Sequence, residues 1–131
     1  MDYIVTWTEF YKGVKKLYRQ VRWNRKKYRK ILAIGRGGVT LGNVMGWLLR
    51  LPVEVQVVSN YRYRNRIRHD SIVCEDSDVL VIDDIIDTGV TTKRVKSDIM
   101  VFVKKRDVPS LKYYAIEIKQ NQWVSFPWEK E

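Results

Sequence analysis

The chain has 131 residues, a single cysteine, a single histidine and a formal net charge of +10. That length suits one domain with a real core and is short for two. One cysteine excludes an intramolecular disulfide, one Cys with one His excludes a zinc site of soft ligands, and no apolar run approaches the ~18 residues of a membrane span, so a soluble, unprocessed, cytoplasmic protein is expected.

The charge is localised. Between Phe10 and Lys30 stand ten basic residues (Lys12, Lys15, Lys16, Arg19, Arg22, Arg25, Lys26, Lys27, Arg29 and Lys30) and no acid, while the rest of the chain balances at 15 of each sign. Within that segment Trp7, Phe10, Tyr11, Val14, Leu17, Tyr18 and Val21 recur at helical spacing, and Thr6 with Glu9 forms a capping-box pattern ahead of them. The expected element is a core-packed helix with a solvated basic face. Nucleic acid is compatible with the 10–30 helix but is not the favoured reading.

Ile31-Leu32-Ala33-Ile34 reads as a strand, Gly35-Arg36-Gly37-Gly38 as a glycine loop, and Val39 to Arg50 as a helix that ends before Pro52. Val53, Val55, Val57 and Val58 supply the next strand. Residues 60–78, with Arg62, Arg64, Arg66 and Arg68, read as a long mobile loop or a two-stranded ribbon. Val79-Leu80-Val81-Ile82 is a buried strand, Thr88 to about Ser97 a short helix, and Ile99–Val103 and Tyr113–Ile118 the last strands. Strands alternating with helices point to an α/β fold with a mostly parallel central sheet.

The most informative stretch follows the buried strand directly: Asp83-Asp84-Ile85-Ile86-Asp87-Thr88-Gly89-Val90-Thr91. A strand leading into a small-residue loop presents backbone N–H groups that suit a phosphate. Adjacent carboxylates would repel that phosphate, so they serve another part of the same ligand, sugar hydroxyls or a bridging magnesium ion. The plain alternative is a solvated turn in which Thr88 caps a helix. No Walker-type Gly-x-x-x-x-Gly-Lys-Ser/Thr occurs, and Gly35-Arg36-Gly37 is followed by Thr40 where a dinucleotide fingerprint needs a third glycine.

The Asp83–Thr91 stretch resembles the 5-phosphoribosyl-1-pyrophosphate (PRPP) signature of the type I phosphoribosyltransferases. With Tyr3-Ile4-Val5-Thr6-Trp7, Arg36-Gly37-Gly38, Ser59-Asn60-Tyr61, Lys104 and Trp123-Val124-Ser125-Phe126-Pro127-Trp128-Glu129, nearly the whole chain follows the order of the bacterial xanthine-guanine, or 6-oxopurine, branch of that family. The resemblance implies a single phosphoribosyltransferase domain over 1–131: a mostly parallel sheet flanked by helices, a mobile lid at 60–78, and a small hood from the chain ends, with base binding in 104–131. It implies transfer of phosphoribosyl from PRPP to N9 of guanine, xanthine or hypoxanthine, with Mg2+ as cofactor and assembly as a dimer or tetramer. Asp87, Thr88, Gly89, Val90 and Thr91 would hold the 5-phosphate, Asp83 and Asp84 the ribose, with Asp84 also near the metal. Gly35, Arg36, Gly37 and Gly38 would hold pyrophosphate, with a cis peptide expected near Gly35-Arg36. Asp87 would be the catalytic base, Lys104 the donor to the purine 6-oxo group, Trp123 the stacking aromatic, and Val124 a backbone contact at the 2-position. A PRPP-responsive nucleic-acid-binding regulator on the same fold, or a phosphoribosyltransferase for another base, are the alternatives.

Overall fold

The structure, a computed structural model, describes residues 2–57, 60–63, 66–69 and 71–129. A two-residue strand, β1 (Tyr3–Ile4), leads into the helix α1 (Trp7–Val21), which tightens into a 3-10 segment over Arg22–Lys27. The Thr6 side chain caps α1 by accepting from the Glu9 amide at 3.1 Å. The reciprocal half of a capping box is replaced: Glu9 Oε2 accepts from the Tyr3 hydroxyl at 3.3 Å, fastening the helix start to β1.

Next come β2 (Lys30–Ile34), α2 (Gly35–Leu49) and β3 (Val53–Gln56). β4 (Asn60–Tyr63) and β5 (Arg66–His69) form an antiparallel pair, the ribbon alternative for this region, and are followed by β6 (Val73–Cys74). Residues 58, 59, 64, 65 and 70 and the side chains of 60–70 lie outside what the structure describes, and the four arginines of the expected lid fall there. The chain continues with β7 (Val79–Ile86), β8 (Arg94–Val95), β9 (Asp98–Lys104), β10 (Leu111–Glu117), β11 (Val124–Ser125) and a closing 3-10 turn at Pro127–Glu129.

Five strands make one sheet in the order β10-β9-β7-β2-β3, every neighbouring pair parallel. Both helices lie on one face. Phe10, Val14, Leu17 and Val21 of α1 and Leu41, Met45 and Leu49 of α2 join Ile31, Leu80, Ile82, Met100 and Phe102 in the larger core. The opposite face, built on Leu32, Val81, Ile99 and Val101, is covered without a helix by Ile72, Val95 and Val108. The helix expected over Thr88–Ser97 is absent: bends and turns run to β8, which pairs in parallel with β6. Thr91 and Thr92 are poor helix formers, and Ser97 is held in the ribbon by its hydroxyl, which donates to the Asp76 carbonyl at 2.6 Å.

The glycine loop also differs from expectation, since helix α2 begins at Gly35 itself. Every peptide bond described is trans, so the expected cis bond is not formed; Gly35 turns the chain with φ of 57° instead. The helix needs small residues because it lies close on the sheet. A Cβ at Gly38 would sit 2.6 Å from the Ile82 carbonyl oxygen, and one at Gly42 would sit 2.8 Å from Ala33 Cβ. Close approach therefore overrides the low helix propensity of the run.

The hood forms where the chain ends meet. β1 pairs in parallel with β11, Tyr3 opposite Val124. Trp128 stacks on Phe126 with centroids 4.8 Å apart and meets Phe10 edge-on at 5.3 Å, which anchors the hood to α1.

Candidate active site

β2 and β7 are neighbours whose chain continuations lead toward opposite edges of the sheet. In open α/β sheets such a switch point leaves a crevice at the carboxyl ends of the strands. Here a cavity of about 180 Å³ is lined by the continuous stretch Asp83–Thr92.

The two acids at its base differ. Asp83 is buried at 9% exposure, and its Oδ1 accepts from the Asp84 amide at 2.8 Å. Burial, and then the Asp84 charge beside it, hold the Asp83 carboxyl well above the usual aspartate range. Asp84 is half-buried and reaches toward the first turn of α2, where its carboxylate fills the space that a side chain at Gly37 would need. The expected pyrophosphate residues Gly35, Gly37 and Gly38 thus lie beside the acid pair as first-turn helix residues, with Arg36 exposed next to them. A helix N-terminus offers unpaired N–H groups to an anion as a loop would.

Beyond the acids the chain bends through Asp87–Gly89, and Gly89 takes φ of 85°. The loop is held by its carbonyls: Ser71 Oγ donates to the Val90 oxygen at 3.1 Å and the Ile72 amide to the Thr91 oxygen at 2.9 Å. Among the described residues the Thr88, Gly89 and Thr91 amides donate to no protein group, and the Val90 amide makes only a long 3.4 Å contact to Thr88 Oγ1. Such a row of unmade donors suits a phosphate.

A second cavity, of about 140 Å³, is lined by Ile85, Asp87, Lys105, Trp123, Val124, Phe126 and Glu129. Asp87 therefore borders both cavities. Its Oδ1 accepts from Gln120 Nε2 at 2.8 Å and lies 3.2 Å from Lys105 Nζ, and the Lys105 side chain is only 7% exposed. Trp123 is 67% exposed at the rim. Phe126 and Trp128 do the anchoring of the hood, which leaves the Trp123 face open.

Lys104 lies outside both linings. Its ammonium sits 2.5 Å from Asp107 and 3.9 Å from Glu117, over the Tyr114 ring at 4.4 Å. The hydrogen bond to Asp107 raises its pKa. At a strand end a one-residue step turns a side chain to the other side, and it is Lys105 that the turn directs to Asp87.

Residues 1–129 match the phosphoribosyl transferase domain family. The chain belongs to that family. It is 25% identical over 141 residues to a xanthine-guanine phosphoribosyltransferase of Idiomarina loihiensis, covering 98% of this chain and 87% of the relative. To the enzyme of that name from Gluconobacter oxydans it is 29% identical over 142 residues, covering 95% and 83%. Among solved structures, the purine phosphoribosyltransferase of Pyrococcus horikoshii superposes with a TM-score of 0.78 at 21% identity, over 99% of this chain and 95% of that one. The xanthine-guanine-hypoxanthine phosphoribosyltransferase of Helicobacter pylori gives 0.73 at 19% identity, over 98% and 94%. These structural likenesses carry the fold.

Within this phosphoribosyltransferase domain, sequence reasoning passed over Lys105 and Gln120. Lys105 stands in a Lys104-Lys105-Arg106 run in which spelling alone cannot say which side chain turns inward. Gln120 carries no motif; only the fold brings it to Asp87, to whose carbonyl it also donates at 3.1 Å.

Proposed function

We propose that this phosphoribosyltransferase is a purine salvage enzyme, which transfers the 5-phosphoribosyl group of PRPP to N9 of guanine, xanthine or hypoxanthine and releases pyrophosphate. The observation that carries the reading is the position of Asp87 between the two cavities. One cavity has the acid pair and free amides that suit a sugar phosphate; the other has a buried lysine and an open tryptophan face that suit a purine. The bond between C1 and N9 would then form where the cavities meet.

Transfer breaks the bond from C1 to the pyrophosphate oxygen as N9 attacks, through a cationic, oxocarbenium-like sugar, so positioning and electrostatics dominate. Thr88, Gly89, Val90 and Thr91 hold the 5-phosphate, Asp83 and Asp84 the ribose hydroxyls, and Gly35 to Gly38 the pyrophosphate. Asp87 accepts the purine proton, and its carboxylate also stabilises the cationic sugar. Lys105, rather than Lys104, is the reading the geometry supports for the donor to the 6-oxo group; the amino group of adenine would present a donor to it instead of an acceptor. Trp123 stacks on the ring, worth roughly 1–3 kcal/mol by analogy with base stacking, and Val124 supplies its backbone at the 2-position. The 60–78 ribbon is the proposed lid.

Magnesium fits as a partner of the substrate. Among the described residues no three His, Cys, Asp or Glu groups form a metal cluster; one half-buried carboxylate, Asp84, beside backbone amides suits an ion that takes its other ligands from water and phosphates. Bound there, magnesium would neutralise charge on the departing pyrophosphate. Homo-oligomerisation, as a dimer or tetramer, belongs to the proposal, supported by the exposed Trp47 of α2 and Val55 of edge strand β3. No described helix is long and apolar enough to cross a membrane. Cytoplasmic residence is proposed with the free, half-buried Cys74 as support.

The test is nucleotide formation from PRPP and Mg2+ with guanine, xanthine, hypoxanthine and adenine in parallel, with Asp87→Ala as control. Turnover of 6-oxopurines that collapses in the variant is the expected result. Turnover of adenine alone, or of no base at all, would overturn the reading.

A further inference from the structure

Nine of the ten basic residues of the 10–30 segment, all but Lys26, separate into two groups. Lys27 pairs with Asp98 at 2.8 Å, Arg29 with Asp78 at 2.8 Å and Lys30 with Glu54 at 2.6 Å. Arg25 donates to the carbonyls of Leu49 and Arg50 at the end of α2, and Lys16 to that of Ala115. These residues hold the fold. Lys12, Lys15, Arg19 and Arg22 are exposed, and among the described residues none has an acid within ion-pair distance. Their spacing of three, four and three places them along one side of α1 and the start of the 3-10 segment that continues it, over about 15 Å.

Beside that stripe, between α1 and α2, runs a groove of about 600 Å³. Its apolar side chains are Val14, Val44 and Leu48, and Tyr11, Tyr18, Lys15, Arg19 and Arg22 complete the lining. Tyr11 is 60% exposed and stacks on Trp7. At the far end the Arg22 guanidinium lies 4.6 Å from the centre of the Trp23 ring, itself 80% exposed. None of these residues borders the proposed active-site cavities.

We propose that the groove between α1 and α2 binds a single-stranded nucleic acid. A cationic groove interleaved with accessible aromatic faces is the combination that takes single strands: phosphates follow the charges and bases stack on the rings. The two other plausible occupants fit less well. A second copy docking about a two-fold axis would set this acid-free stripe against itself, a repulsion across an isologous interface. A bilayer would need a broad apolar face standing proud, whereas Val14 is buried and Val44 half-buried within the groove, leaving Leu48 as the exposed aliphatic side chain of the lining, among the cations Lys15, Arg19 and Arg22.

Fluorescence anisotropy with a labelled single strand of about twelve nucleotides tests the proposal. Three to four phosphate contacts give a slope of log affinity against log salt of roughly −2 to −3. The double variant Arg19→Glu/Arg22→Glu is expected to bind at least tenfold more weakly. Tyr11→Ala/Tyr18→Ala is expected to bind roughly tenfold more weakly with an unchanged slope. Nucleotide formation, where it is present in the wild type, reports that each variant is folded; circular dichroism serves the same end if it is absent. Equal affinity for polyglutamate or for vesicles of anionic phospholipid would overturn the assignment, as would a charge-reversed variant that binds like the wild type or tyrosine variants without effect.

Discussion

Gly37 and Gly38 are adjacent in the first turn of α2, yet an alanine at each should fail in a different way. At Gly38 the obstacles are backbone: a Cβ would lie 2.6 Å from the Ile82 carbonyl oxygen and 3.1 Å from Asp83 Cα, where ordinary contact begins near 3.4 Å. Neither atom can yield without moving β7 or lifting α2, so Gly38→Ala carries an overpacking cost of about 1–3 kcal/mol, reduced by up to ~1 kcal/mol of helix propensity. At Gly37 the obstacle is the Asp84 carboxylate, the end of a half-buried side chain that can swing away. The strain of that swing, of order 0.5–1.5 kcal/mol, is close to the propensity gain, so Gly37→Ala should be nearly neutral in stability.

Activity should show the reverse weighting. Relieving the overlap displaces the Asp84 carboxylate by roughly 1 Å, a misplacement that can cost about 100-fold in rate. Gly37→Ala is therefore expected to melt within about 3 °C of wild type while kcat/KM for PRPP falls about 100-fold and more Mg2+ is needed for half-maximal rate. Gly38→Ala should melt several degrees lower. Thermal melts and PRPP titrations at varied Mg2+ measure both. A Gly37→Ala enzyme with wild-type kcat/KM, or a Gly38→Ala protein with a wild-type melting temperature, would refute the reasoning.

Other expected outcomes rest on the charged side chains. Asp83 has a raised pKa in the folded chain, so as pH rises from the ordinary aspartate value near 3.9 the unfolded chain releases its proton first and stability falls until the raised folded pKa is passed. Asp83→Asn keeps an acceptor for the Asp84 amide and should be more stable than wild type at neutral pH in chelator, with the gain vanishing at low pH; urea midpoints from pH 3 to 8 would show it, and a gain independent of pH would exclude this cause. Lys105→Met should raise KM for a 6-oxopurine roughly tenfold or more, whereas Lys104→Met, removing a group held by Asp107 and Glu117, should change that KM less than twofold; steady-state kinetics with the reverse ranking would restore Lys104 to the base site. Gln120→Ala should lower kcat several-fold while leaving KM for PRPP nearly unchanged, because it loosens Asp87 and touches neither the acid pair nor the loop amides; a change confined to KM would deny it a positioning role.

The central strands were legible because buried parallel strands are written as continuous apolar runs, and Val79–Ile82 leads into the site. The Asp83–Thr91 motif was legible because its spelling is local: consecutive acids, a threonine and a glycine at fixed offsets. What sequence reasoning mistook depended on contacts distant in the chain. Gly35 to Gly38 read as a loop because glycine is a poor helix former, but the nearness of β7 makes small residues a requirement there. The helix expected after Thr88 has no face to bury, since Val95 and Ser97 are taken up by the ribbon of β6 and β8. The choice between Lys104 and Lys105 turns on the twist at the end of β9, which no local pattern encodes.

Three carboxylates within five residues are an unexpected lining for a site proposed to hold a substrate as anionic as PRPP. The geometry removes much of the conflict. Asp83 is desolvated so strongly that its neutral form is favoured relative to an ordinary aspartate, and Asp87 has Lys105 at 3.2 Å. Asp84 is left as the acid without a cationic partner among the described residues, and it is the one beside the α2 N-terminus, where partial positive charge gathers. The loop amides on the other side add donors without adding net charge. Asp84 thus lies between the α2 N-terminus and the loop amides, an arrangement that suits a divalent cation carried in with phosphates.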